Sequence, residues 1–282
     1  MSPAGDGGRP PRSARPAPSR GRGPDRTAVD AVASTRWKAV LFDLFDTLVL
    51  FERERLPLVR VNGRTLHSTA GALHELVRAH APDVDLARFV DALLWSWQEA
   101  ERLRAIDHRE IAAPARFRLL FERLGLDARA VPPALVEALL GAHRLELTRA
   151  MEFPPHHGAV LGRLARRHRL AIVSNFDYAP TVRGILGDAG VIDLFAAVVV
   201  SDEVGWRKPK PAIFEEALRR LGVGARQALF VGDRPDIDVA GAHAVDIDAV
   251  WINRAGAPLP DGVRPPQFEI RDLTELPAIV GA

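Results

Sequence analysis

Short apolar runs that stop abruptly on polar residues organise this chain. Ala39-Val40-Leu41-Phe42 ends on Asp43, with Asp46 and Thr47 close behind. A run of that length predicts a buried strand with Asp43 at its carboxyl end, the end at which open parallel sheets bind ligands. A simple turn would also use Asp and Thr to satisfy local backbone groups, so this segment alone leaves both readings open. From residue 151 onward, strand-like and helix-like segments alternate. Leu170-Ala171-Ile172-Val173 runs into Ser174-Asn175, and a helical pattern with Val182, Ile185 and Leu186 closes at Gly190. Phe195 to Val200 ends at Ser201-Asp202, and a helix starting at Pro211 carries Phe214, Leu218 and Leu221 to a stop at Gly222. Ala228 to Val231 ends on Gly232-Asp233, a helix carries Val239 and Ala240, and a last strand spans Ala249 to Ile252. This alternation predicts an α/β fold, a parallel sheet with helices on both faces.

Residues 52–150 have a different period. Leu86, Phe89, Val90, Leu93, Leu94 and Trp97 recur at helical spacing, as do Phe117, Leu120, Phe121 and Leu124, and then Leu135, Leu139 and Leu140. Leu66, Ala70, Leu73 and Val77 predict one more helix, with no strand in the region, and Trp95 and Trp97 are expected to pack the bundle. The sheet domain is therefore expected to be discontinuous, residues 36–51 and 151–282, with 52–150 inserted as an all-helical module.

Composition narrows the class. The 282 residues are 47% hydrophobic and 26% charged, ordinary values for a globular protein. Zero Cys excludes disulfides, thiolate metal sites and a cysteine nucleophile. No apolar run approaches the roughly 18 residues that span a bilayer, so a cytoplasmic protein without a membrane partner is expected. The charge is unevenly placed. Residues 1–35 carry six Arg against three Asp, a net +3 in a chain of net +2, which leaves the rest near −1. That segment is rich in Pro, Gly and Ser and lacks the apolar core of a secretory signal. It reads as a disordered basic tail, and no specific nucleic-acid partner is expected. Only Lys38, Lys208 and Lys210 are lysines among 38 basic residues. Two of them in one short segment suggest a site that needs a compact ammonium rather than a planar fork.

Four polar clusters follow predicted strands in order: Phe42-Asp43-Leu44-Phe45-Asp46-Thr47-Leu48, Val173-Ser174-Asn175, Gly205-Trp206-Arg207-Lys208-Pro209-Lys210-Pro211, and Val231-Gly232-Asp233-Arg234-Pro235-Asp236-Ile237-Asp238. Over residues 37–255 they resemble the haloacid dehalogenase superfamily, the aspartate-nucleophile phosphohydrolases. The resemblance implies a Rossmann-like core, a helical cap at 52–150 and a small phosphorylated substrate. It also implies Asp43 as nucleophile, Mg²⁺ held by Asp43, Asp233, Asp238 and the Phe45 backbone carbonyl, and substrate contacts at Thr47, Ser174, Asn175 and Lys208. The residues suit that chemistry. Asp43 can attack phosphorus in line, and its charge requires a hard cation that oxygen ligands favour. Asp233 adds a second carboxylate, Asp238 can orient the metal's waters, Ser174 can donate to phosphoryl oxygens, and Lys208 can neutralise charge. Asp233 and Asp238 would also suit helix capping.

One position departs from the pattern. Phosphatases of this family carry an acid/base Asp two residues after the nucleophile, where this chain has Phe45. Loss of a positioned acid/base costs about 10²–10⁴-fold in rate. Three readings follow: a Mg²⁺-dependent phosphatase or phosphotransferase, a metal-independent 2-haloacid dehalogenase, and a slow or non-catalytic phospho-ligand binder. The metal-supporting carboxylates favour the first. Asp46 stands where the family usually has Gly and is expected to stabilise the turn. Arg53, Arg55, His67 and His108 read as polar surface, Lys210 as solvent-facing, and His156-His157 as linker.

Overall fold

The computed structural model describes residues 36–282, so the segment read as a disordered tail, residues 1–35, lies outside the described residues. Along the chain run β1 (Ala39–Phe42), β2 (Leu50–Phe51), β3 (Leu58–Val61), β4 (Arg64–His67), α1 (Ala70–His80), α2 (Leu86–Asp107), α3 (Ala113–Arg123), α4 (Pro133–Arg149) and β5 (Met151–Glu152). Then follow α5 (Pro155–Leu164), β6 (Arg169–Ser174), α6 (Ala179–Asp188), β7 (Phe195–Val200), α7 (Ser201–Val204) and α8 (Pro211–Leu221). The last elements are β8 (Ala228–Gly232), α9 (Ala240–Ala244), β9 (Asp248–Ile252), β10 (Phe268–Ile270) and α10 (Leu276–Val280).

Six strands form one sheet in the order β10-β9-β8-β1-β6-β7, and every neighbouring pair is parallel. Strands buried on both faces explain the unbroken apolar runs. Alternate side chains supply two separate cores, because successive residues of a strand point to opposite faces. Val40, Phe42, Leu170, Ile172, Leu229 and Val231 pack one side with residues of α5, α6 and α10. Ala39, Leu41, Ala171, Val173, Ala228 and Phe230 pack the other with residues of α8 and α9. From β1 the chain runs outward through β6 and β7, then crosses back to place β8 on the other flank of β1. Strand order reverses there, and the carboxyl ends of β1 and β8 open onto the crevice that such a reversal leaves. Among the described residues no helix is long and apolar enough to cross a membrane.

The insertion begins and ends side by side. Leu50 pairs with Glu152 and Phe51 with Met151 in an antiparallel β2–β5 ribbon, so residues 52–150 leave and rejoin the sheet domain at one place. The insert has a core of its own, with Leu73, Phe89, Phe117, Phe121 and Leu139 buried at its centre.

Two expectations about it need correction. It is not wholly helical: β3 and β4 form an antiparallel hairpin with Leu58 opposite His67 and Val61 opposite Arg64, so Leu66 lies on a strand and α1 starts only at Ala70. The turn residues Asn62 and Gly63 both have positive φ, +49° and +73°, the geometry of a type I′ turn, for which Asn-Gly is the strongest short-range signal. The tryptophans do not fill the bundle either. Trp97 is 53% exposed, and Trp95 lies beneath the Arg123 guanidinium, 5.2 Å from the ring centroid. In the sheet domain the strand at β9 is not the last; β10 adds an edge strand in parallel register.

Candidate active site

β1 delivers Asp43 to the reversal point, and its N–H continues the ladder by donating to the Val231 carbonyl at 2.9 Å. The side chain is nearly buried. Lys208, on the loop between α7 and α8, sends its ammonium under the same strand ends, 2.5 Å from Asp43 Oδ1 and 2.8 Å from Asp238 Oδ1. Its side chain is 1% exposed, and its Nζ lies 5.2 Å from the centroid of the Phe230 ring beneath it.

Asp238 sits on a single π-turn, Pro235–Val239, a wide turn that often marks functional sites. Its Oδ2 accepts the Arg234 N–H at 3.0 Å. It comes so close to the end of β8 that a Cβ on Gly232 would fall 2.3 Å from that oxygen. Only glycine fits there. Asp233 completes the group: carboxylate oxygens of Asp43, Asp233 and Asp238 all lie within 4.8 Å of one another.

Asp43 and Asp238 share one ammonium with Asp233 close by, and the proton affinities of Asp43 and Asp233 reflect the crowding. Burial pushes Asp43 up to about 6, against the opposing pull of Lys208 and with reinforcement from Asp238. Asp233 is pushed up to about 7, first by burial and then by the charges of Asp43 and Asp238. Lys208 is held above its usual range; burial works to lower it, and Asp238 and Asp43 outweigh that. An all-oxygen donor set with excess negative charge fits a hard divalent cation such as Mg²⁺.

Around this centre are two buried hydroxyls that lack a partner among the described residues: Ser174 Oγ and Thr47 Oγ1. Ser174 ends β6, two positions past the Phe42–Ile172 pairing, and Thr47 lies on the loop after β1. Buried hydroxyls are normally bonded, so these are free donors for a ligand oxygen.

The Asn175 side chain is turned to the lysine loop, while its backbone N–H stays the candidate ligand donor. Its Oδ1 accepts the Lys208 N–H at 2.7 Å and its Nδ2 donates to the Lys208 carbonyl at 3.0 Å, so the side chain clamps the lysine's backbone. Phe45, at the expected acid/base position, stacks on Phe176 with ring centroids 4.9 Å apart. Asp46 adopts φ +54°, and its Oδ1 accepts the Phe51 N–H at 3.2 Å, which makes it a turn stabiliser.

Several contributors were not visible beforehand. Arg254, just past the end of β9, donates to the carbonyls of Asp46 and Thr47 and pins the loop after β1; a fifth strand end ending in Asn253-Arg254 was its only signal. His157 is not linker. It lies in the first turn of α5, is buried, and donates from Nδ1 to the Leu48 carbonyl at 2.9 Å, while burial lowers its pKa. Arg55 pairs with Glu52 and Glu152, and His67 Nδ1 donates to the Leu56 carbonyl. Lys210 lies against Trp206, 5.1 Å from the ring centroid. Open cavities exist elsewhere, one of about 450 Å³ beside Val49, Met151, Phe153 and Ile185. It contains none of the converging charges, so chemistry rather than volume locates the site.

Comparison with known proteins gives the family. A family model described as haloacid dehalogenase-like hydrolase matches residues 37–246. The chain is 32% identical to a phosphoserine phosphatase of Thermus thermophilus, over 85% of this chain and 97% of that one. It is 30% identical to a glyceraldehyde 3-phosphate phosphatase of Methanopyrus kandleri, over 77% and 84%. Among solved structures it resembles a 2-haloacid dehalogenase of Pseudomonas syringae pv. Tomato, with TM-score 0.63, 26% identity and coverage of 87% and 98%.

Proposed function

The chain belongs to the haloacid dehalogenase-like hydrolases, and on that footing we propose that it hydrolyses a small phosphorylated metabolite through an aspartyl-phosphate on Asp43, with Mg²⁺ as cofactor. The observation that carries the reading is the convergence of Asp43, Asp233 and Asp238 around the buried Lys208 ammonium. Mg²⁺ would be held by Asp43, Asp233, Asp238 and the Phe45 backbone carbonyl, and when bound it supplies charge neutralisation between nucleophile and phosphoryl group.

The protein's own groups do the rest. An Asp43 carboxylate oxygen attacks phosphorus, a P–O bond forms, and the bond to the leaving oxygen breaks with its electron pair. Lys208 offsets the charge of nucleophile and phosphoryl oxygens, while the free hydroxyls of Ser174 and Thr47 and the backbone N–H of Asn175 donate to those oxygens. Water then attacks phosphorus, releasing phosphate and restoring Asp43. Residues 52–150 act as the cap that covers the strand ends and selects the leaving group.

Dehalogenation is the second reading, favoured by one observation, the Phe45–Phe176 pair where an acid would stand. Halide leaves without a proton. Against it, three carboxylates facing one ammonium, without a metal cation, would repel a carboxylate substrate. The test is phosphate release from 4-nitrophenyl phosphate with and without Mg²⁺, beside chloride release from 2-chloropropionate without metal. Metal-dependent phosphate release that Asp43→Asn reduces by about 10³-fold or more is expected. Unchanged turnover in Asp43→Asn sinks the mechanism, chloride release establishes the alternative, and Mg²⁺ binding with neither activity marks a binding protein.

A further inference from the structure

The proposed chemistry leaves one set of buried charges unused, and it lies between the insert and the sheet domain. Glu110, on the connection between α2 and α3, has a side chain only 1% exposed. Its Oε1 receives Arg104 Nη2 at 2.7 Å, its Oε2 receives Arg207 Nη1 at 2.8 Å, and the Ser201 hydroxyl also donates to Oε2. Backbone pairing runs beside these contacts. Glu110 N–H donates to the Gly205 carbonyl and Arg207 N–H to the His108 carbonyl, each at 2.9 Å, and the Arg109 guanidinium covers the Trp206 ring. The insert thus adds a strand-like segment, residues 108–110, along residues 205–207. Lys208 is the next residue.

The neighbouring loop is gripped from the same side. Asp177, two residues past Asn175, receives Arg116 Nε at 3.0 Å, and its carbonyl accepts the Ala113 N–H at 2.7 Å. Ser201 Oγ, besides donating to Glu110, accepts the Phe176 N–H at 2.9 Å. Stability alone does not account for this arrangement, since a buried ion pair roughly breaks even against apolar packing of the same volume. What charges supply and apolar packing does not is a fixed register between two surfaces.

We infer that Glu110 of the insert is a positioning residue for Lys208: through Arg207 and the paired backbone it holds the lysine loop from the insert side, while Asn175 holds it from the sheet side. Docking of the insert then places the ammonium against Asp43 and Asp238, and undocking loosens it. The catalytic consequence rests on the phosphatase reading; the positioning itself does not.

The chain's three lysines make the test direct. Limited acetylation with acetic anhydride, read by peptide mass spectrometry, compares buried Lys208 with exposed Lys38 as internal reference. In Glu110→Gln, Lys208 acetylation relative to Lys38 is expected to rise about tenfold, the signature of local opening, and kcat/KM for 4-nitrophenyl phosphate to fall about tenfold or more. Val280→Ala in α10, which makes no part of this network, serves as a destabilised control and should leave Lys208 protected. Should Glu110→Gln fail to fold, Arg207→Gln breaks the same contact and leaves Arg104–Glu110 paired. Wild-type protection of Lys208 in the Glu110 or Arg207 variant overturns the inference, as does equal exposure in Val280→Ala. Increased acetylation confined to the network variants, in a protein that releases no phosphate, supports the positioning and removes the phosphatase reading instead.

Discussion

Phe45 stands where leaving-group protonation is expected and cannot provide it. Its ring is half-buried against Phe176, so no side-chain proton donor occupies that place. In the proposed mechanism the leaving oxygen would then depart largely unprotonated, which would make turnover depend steeply on leaving-group pKa. Comparing 4-nitrophenyl with phenyl phosphate should show a large rate ratio in the wild type. Phe45→Asp is expected to speed phenyl phosphate by about 10–100-fold and to narrow that ratio. An unchanged ratio would mean that proton transfer does not limit the rate. Asn175 teaches a related lesson about single residues: next to Ser174 it suggests a ligand contact, which its backbone N–H can make, while its side-chain amide binds both the N–H and the carbonyl of Lys208. Residue type at a strand end indicates that a site exists; only contacts divide the roles.

Short elements carry much of the placement. The π-turn Pro235–Val239 takes the place of the helix start expected around Asp238, and with Gly232 it lets that carboxylate reach Lys208. Within the insert, His143 of α4 joins three helices. Its Nδ1 lies 3.0 Å from the Thr69 hydroxyl just before α1, and its ring packs edge-on against Phe117 of α3. Burial, with Arg116 adding repulsion, pushes its pKa down to about 4. Because the folded pKa is below the unfolded one, the unfolded chain binds the proton first, so stability falls as pH drops from the usual histidine range toward 4. Between pH 7 and pH 5 this amounts to about 1–2 kcal/mol. Urea midpoints at the two pH values should differ in the wild type and differ less in His143→Gln. Equal pH dependence in both would assign the loss to other groups.

At the scale of the whole molecule, the sheet was legible because buried parallel strands have to be apolar throughout, and the runs at β1, β6, β7 and β8 are. The candidate site was legible because chain order and strand order bring Asp43, Ser174, Lys208 and Asp233 to one edge, whatever lies between them. β10 was missed because three residues, Phe268–Ile270, give too short a pattern at a sheet edge. The hairpin at 58–67 was obscured by helical spacing downstream, although Asn62-Gly63 marked it. The Glu110 network was illegible, since pairing across 97 residues between Glu110 and Arg207 leaves no local pattern. The central claim is that Asp43 carries the phosphoryl group. Acid quenching during turnover of 4-nitrophenyl phosphate with Mg²⁺, followed by peptide mapping, tests it most directly. A phosphoryl group on the peptide containing Asp43, absent in Asp43→Asn, is the predicted result; steady turnover with the Asp43 peptide unmodified and a different residue phosphorylated would contradict it.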